Sequence, residues 1–182
     1  MNTTSSSTLL GIIIIFVGAA LAFFGLFNRI DLEIKEAGGE IVVYRNVKGD
    51  YKQVRTLMNE LYHELRIEFE IKTNLGYAKY LSSPIGLNSD EVYAEVGVVL
   101  KKEHFDEIPE LEKDFLVKKI ELKEYIVTEF PFRGKTSNFF VLKKVYPALD
   151  KFAGEKGFFV GSPVIEIEDI VGSRITFMKE IE

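Results

Sequence analysis

The chain has 182 residues, 47% of them apolar, with 23 basic against 28 acidic side chains and no cysteine. That is enough apolar material for one well-cored domain, and the balance lacks the net basic face that phosphate backbones require, so nucleic acid is not an expected partner. The absence of cysteine removes disulfides, thiolate nucleophiles and cysteine metal sites; His63 and His104 form no H-E-x-x-H pattern, so neither a metal nor a cofactor is expected.

The first 28 residues carry no charge, and Leu9 to Phe27, LLGIIIIFVGAALAFFGLF, is an unbroken apolar run. At about 1.5 Å per residue it would cover roughly 28 Å, near the hydrocarbon thickness of a bilayer. The expectation is a transmembrane helix over 9–27, with residues 1–8 as a short extracytoplasmic N-terminus and 28–39 as a connector. Ala20-Leu21-Ala22 fits a signal-peptide cleavage pattern, but no basic residue precedes the run, and cleavage there would expose FFGLF. Arg29 and Lys35 follow it, which predicts a single-pass membrane protein with its C-terminal domain cytoplasmic. Gly11, Gly18 and Gly25 recur every seven residues and would let two such helices pair as a homodimer.

Beyond the connector two stretches echo each other, IVVYRNVKGDYKQVRTL from Ile41 and IVTEFPFRGKTSNFFVL from Ile126. Each reads as a strand, a glycine turn and a helix. The first helix spaces Val54, Leu57, Met58, Leu61 and Leu65 on one face; the second does the same with Phe139, Leu142, Val145, Tyr146, Leu149 and Phe152, and Pro147 kinks or restarts it. A glycine-aromatic pair and a Ser-Pro follow each helix, in GYAKYLSSP and GFFVGSP, and a further strand closes each copy. The predicted class is α+β: two βαββ modules, about 40–103 and 115–182, forming an antiparallel sheet with helices on one face and the other face free to form a groove. The charged segment Lys101 to Asp114 separates them as a loop.

The stretches VVYRNVKGDY, GYAKYLSSP and above all GFFVGSPVIEIED resemble the GyrI-like family, the gyrase-inhibitor and effector-binding fold, over about residues 40–182. The resemblance implies small-molecule binding, with an acidic residue after a proline turn meeting cationic ligands; Glu166 is the matching position. The family commonly places a tyrosine shortly after that acid, and Glu168 stands here instead. Relatives often carry a helix-turn-helix DNA reader, whereas this N-terminus is apolar, so the implied form is membrane-anchored.

Within SPVIEIED, alternation puts Val164, Glu166 and Glu168 on one face and Ile165 and Ile167 on the other. If the isoleucines pack under the helices, the glutamates face the groove. Tyr44, Tyr80, Tyr93, Phe130 and Phe132 are then candidate walls, since a carboxylate walled by aromatic rings suits a hydrophobic cation. Two other function classes compete. Some GyrI-like proteins hydrolyse strained, electrophilic xenobiotics with a glutamate and a tyrosine, which here would be Glu166 as base with Tyr44 or Tyr125 as acid. A protein-interaction scaffold would use the 101–114 segment as its contact.

Overall fold

Among the described residues eight strands join in one antiparallel sheet: β1 (Glu33–Ala37), β2 (Ile41–Lys48), β3 (Leu75–Tyr80), β4 (Tyr93–Leu100), β5 (Leu116–Lys119), β6 (Lys123–Pro131), β7 (Val164–Asp169) and β8 (Arg174–Glu180). The computed structural model describes residues 3–23, 26–48, 51–81 and 92–181. Helix α1 (Thr3–Phe23) comes first, α2 (Tyr51–Glu68) follows β2, and α3 (Ile108–Leu111) precedes β5. After β6 come α4 (Lys135–Phe140), a π turn (Val141–Val145) and α5 (Tyr146–Lys156). The expected α+β class and the strand-helix-strand-strand order therefore appear in both halves. Gly25, Gly49 and the Ser-Pro at residues 83–84, all invoked above, lie outside the described residues.

Strand order is β1-β6-β8-β7-β3-β4-β2-β5. Each half gains a leading strand that its sequence pattern did not announce, and the two are exchanged: β1 pairs with β6 of the second half, β5 with β2 of the first. The halves meet where β3 pairs with β7, setting Ala78 opposite Glu166.

The helices share one face of the sheet. Val54 and Met58 of α2 and Val141, Val145, Tyr146 and Leu149 of the second helical segment pack with Ala78, Val96, Phe130, Val164 and Phe177. A neighbouring cluster joins Leu61 and Leu65 to Val43, Val98 and Leu111. The segment from 101 to 114 is correspondingly not a plain charged loop: it forms a 3-10 turn (Lys102–Glu107) and α3, buries Leu111, and packs Phe105 and Ile108 against that cluster.

The face without helices is not an open groove, which corrects the expectation. It holds its own core of Val42, Tyr77, Val99, Ile120, Tyr125, Val127, Ile165 and Met178. Connectivity explains why. Lys119 ends β5 at one edge of the sheet and Lys123 begins β6 beside the other. Six strand spacings would separate those strands by roughly 29 Å in a flat sheet, while four peptide steps reach at most about 14 Å. The sheet must therefore curl until residues 120–122 strap across its concave side. The strap is tied to the β1–β2 turn, with Ile120 N–H donating to Glu40 O (2.8 Å) and Gly39 N–H to Ile120 O (2.9 Å). Gly38, at φ 97°, is required there because a Cβ would fall 2.2 Å from Glu121 O.

Gly97 on β4 is similarly constrained: a Cβ would meet Val43 O at 1.9 Å and Tyr44 Cα at 2.7 Å, both backbone atoms of β2. Gly97→Ala should destabilise the fold by about 1–3 kcal/mol, measured as a lower urea midpoint with unchanged slope.

The expected transmembrane helix over 9–27, and the single-pass membrane localisation built on it, are overturned: among the described residues no helix is long and apolar enough to cross a membrane. Helix α1 is described over Thr3–Phe23, and its apolar part from Leu9 covers roughly 22 Å, short of a hydrocarbon core of about 30 Å. The end of the apolar run belongs to the domain. Leu26 N–H turns back to Leu21 O (3.0 Å), and Leu21, Leu26, Ile30 and Leu32 pack on the helix-side core. Arg133 donates to Phe23 O (2.8 Å) with its guanidinium 4.2 Å from the Phe23 ring centroid, and Lys144 donates to Leu26 O and Asn28 O, each at 2.7 Å. Burial lowers the Lys144 pKa. Gly11 and Gly18 face open space, with nothing within 4 Å of a Cβ at either.

Candidate functional site

Alternation along β7 runs opposite to the sequence expectation. Ile165 and Ile167 fill the concave core, and Glu166 lies on the helix side, 2% exposed. Both sheet faces are apolar here, so the isoleucines had two cores to choose from, and curling of the sheet decided the matter. Glu166 sits between Ala78 and Phe177 on its neighbouring strands. Above it Tyr146 OH donates to Glu166 Oε1 at 2.8 Å.

Tyr146 also organises the surrounding rings. Its ring meets Tyr80 edge-on at 6.3 Å between centroids and Phe177 at 6.1 Å, with interplanar angles of 83° and 79°. Such T-shaped pairs contribute about 0.5–1.5 kcal/mol each beyond burial, so the phenol is held by packing as well as by its hydrogen bond. The backbone beneath it is unusual. Pro147 has no N–H to offer Lys143 O, and the preceding turn widens to a π turn in which Tyr146 N–H donates to Val141 O. The helical segment is bracketed by Gly134 (φ 101°) and Gly157 (φ 81°), conformations open to glycine.

The predicted site residues divide between the two faces. Glu166, Tyr80 and Phe130 are buried on the helix side, and Phe132 packs half-buried against the same core. Glu168 lies half-buried two residues along β7, opposite Gly76, where α2 approaches so closely that a Cβ would sit 2.6 Å from Met58 Sδ. Tyr44 and Tyr125 are across the sheet, so neither can act as the acid partner of Glu166. Tyr44 stacks edge-on against Tyr77 at 6.2 Å, and Tyr125 OH donates to Glu121 O at 2.8 Å. Burial, followed by the nearby Glu95 charge, raises the Tyr44 pKa. Tyr93 is half exposed at the start of β4, with the Lys48 ammonium 5.2 Å from its ring centroid, and does not join either group.

Sequence reasoning placed Tyr146 in the apolar stripe of its helix but gave it no role. A phenol in a buried stripe needs a hydrogen-bond partner, and a glutamate between two isoleucines needs one too; that mutual demand was the available signal. Lys179 was missed entirely. It is 1% exposed on β8, donating to Val160 O (2.6 Å) and Ser162 O (3.0 Å), with Asp150 Oδ1 at 3.2 Å. It pins the turn that leads into β7. Among the described residues no group of side chains is arranged to hold a metal ion.

On the concave side Glu180 bridges Lys79 (2.6 Å) and Lys123 (3.5 Å). Burial pushes its pKa up, but the Lys79 hydrogen bond and charge, with those of Lys123, outweigh this and hold it below the ordinary 4.5. A depressed carboxyl contributes stability that is present above the unfolded-state value and is lost as pH falls through the folded one. The urea midpoint should therefore decline as pH drops below 4.5, and Glu180→Gln should flatten that decline.

No family model and no curated protein matches the chain. Among solved structures it is similar to the EcmrR C-terminal domain, at 11% identity over 84% of this chain and 98% of that one, TM-score 0.56. It is also similar to EcmrR in its DNA complex, at 11% identity over 98% of this chain and 66% of that one, TM-score 0.58. A third likeness is to SAV2435 bound to tetraphenylphosphonium, at 9% identity over 84% and 94%, TM-score 0.51. At such identities these likenesses show a shared fold.

Proposed function

We infer that the protein binds small hydrophobic cations between its second helical segment and the sheet, with Glu166 as counter-charge and Tyr80, Tyr146 and Phe177 as ring walls. The observation that carries this reading is the buried Tyr146–Glu166 hydrogen bond, with the rings of Tyr80 and Phe177 each set edge-on to that of Tyr146. A carboxylate and π faces in a dry site both attract a cation, and both would repel an anion of the same shape. The solved likeness to SAV2435 supports it, because that protein's ligand, tetraphenylphosphonium, is such a cation. The site is closed, so entry requires the segment between Gly134 and Gly157 to lift, and its π turn is the weak point.

Shape-matched probes test the reading with the full chain. Tetraphenylphosphonium should raise the melting temperature saturably, and tetraphenylborate, of the same shape and opposite charge, should not. Equal effects from both ions, or none from the cation, would remove the basis for the proposal.

Hydrolysis is the second reading, and one contact favours it: Glu166 as base and Tyr146 as acid are already hydrogen-bonded. Tyr146 replaces Tyr44 and Tyr125 in that role. Conversion of an electrophilic compound that binds at Glu166, lost in Tyr146→Phe, would establish it.

A further inference from the structure

Thr128 stands on β6 between Ile126 and Phe130, both of which pack into the helix-side core. The register carries that face across the sheet: Thr128 lies opposite Phe177 on β8, and Phe177 lies opposite Glu166 on β7. Thr128, Phe177 and Glu166 therefore form one row on the helix side, with the aromatic ring in the middle. Thr128 is 3% exposed, and among the described residues its Oγ1 finds no hydrogen-bond partner. Four serine and threonine residues are buried among the described ones, and the other three hydroxyls are all bonded. Thr73 Oγ1 accepts from Leu75 N–H, Ser137 Oγ accepts from Arg133 N–H, and Ser162 Oγ donates to Phe159 O. A buried hydroxyl left unbonded destabilises the folded chain, and valine would fill the same place without that penalty. Packing alone gives no reason for a hydroxyl at this position.

Two strand spacings, roughly 10 Å, separate the backbones at Thr128 and Glu166. One aromatic ring covers most of the distance between a cation held at Glu166 and a polar group bonded at Thr128, and that ring would lie over Phe177. We propose that Thr128 sets the specificity of the Glu166 site: the ligand is a hydrophobic cation carrying a hydroxyl one aromatic ring away from its charge, and this hydroxyl bonds Thr128 Oγ1. The proposal rests on the cation reading and narrows it to a class of ligand. A threonine hydroxyl both donates and accepts, so a ligand hydroxyl satisfies it in either sense. A cation that ends in a hydrocarbon group leaves Thr128 unbonded and is held by Glu166 and the rings alone. The site then discriminates by the substituent at the far end of the ligand, while Glu166 discriminates by charge.

The test compares (4-hydroxyphenyl)triphenylphosphonium with its (4-methylphenyl) isostere and with tetraphenylphosphonium, by calorimetry on the full chain at a pH of about 6, where a phenol is neutral. The hydroxyl-bearing ion should bind the wild type about fivefold more tightly than the methyl-bearing one. Thr128→Val should abolish that preference while changing the affinity for tetraphenylphosphonium by less than about twofold. Thr128→Ser, which keeps the hydroxyl, should retain the preference. Thr128→Val should also raise the urea midpoint, since it removes an unbonded polar group from the core; an unchanged or lowered midpoint would assign the hydroxyl to the fold and overturn the proposal. Failure of this proposal and failure of the cation reading give different results. If tetraphenylphosphonium does not bind, the cation reading falls and the role of Thr128 with it. If it binds, but the hydroxyl preference is absent or survives in Thr128→Val, only the role of Thr128 is overturned.

Discussion

Glu166→Gln is expected to weaken binding of tetraphenylphosphonium by about 30-fold or more, equivalent to about 2 kcal/mol, read by isothermal calorimetry on the full chain. The substitution leaves the shape of the site in place. Glutamine has the same shape, and its carbonyl can accept the Tyr146 hydroxyl as the carboxylate does at 2.8 Å. The ring frame of Tyr80, Tyr146 and Phe177 therefore stays assembled, and only the counter-charge is lost. A buried charge interaction is screened far less than a surface one, which is why a single neutralisation should remove so much affinity. An unchanged affinity in a folded Glu166→Gln protein would mean that the cation binds elsewhere or through the rings alone.

Lys179→Met should be the most destabilising single change among the charged residues, costing about 3 kcal/mol and lowering the melting temperature by roughly 6–12 °C. The ammonium is 1% exposed and serves two carbonyls and one carboxylate at once. Methionine fills the space but leaves Val160 O and Ser162 O without their donor and Asp150 without its counter-charge, and the desolvation already incurred by those oxygens is not returned. Lys151 makes the useful contrast. Its pair with Glu155 spans 3.7 Å with both side chains mostly exposed, so Lys151→Met should change stability by less than about 0.5 kcal/mol. Scanning calorimetry on the two variants compares them directly, and similar melting temperatures would show that Lys179 is not the pin of the β7 turn.

Much of the framework was legible from local pattern. The repeated strand, glycine turn and helix marked β2 and β6, the closing segments of each copy marked β4 and β8, alternation marked β7, and the stripe Val54, Met58, Leu61, Leu65 marked α2, because these signals need only neighbours in sequence. The strands β1 and β5 were not legible. EIKEA is exposed and charged and LVKK is four residues long; each becomes a strand only by pairing with a partner in the opposite half. The end of α1 was misread for a similar reason. Nothing within LLGIIIIFVGAALAFFGLF announces that its end joins the domain, since the groups that receive Phe23 O and Leu26 O, Arg133 and Lys144, stand more than a hundred residues away.

For the site, the sequence singled out the acid but put it on the wrong side of the sheet. Alternation says that Glu166 and Ile165 part company, not which of two apolar faces each takes. Only the strap at Ile120, which turns the concave side into a second core, resolves that choice. Tyr44 and Tyr125 consequently fell away as partners of Glu166, and Tyr146 took their place.

The central claim is that a hydrophobic cation settles on the helix side of the sheet against Glu166. Intermolecular nuclear Overhauser effects between the phenyl protons of tetraphenylphosphonium and the full chain test it most directly. Contacts to the ring protons of Tyr80, Tyr146 and Phe177 are expected. Contacts confined to Tyr44, Ile165 and Met178 on the concave face would contradict it.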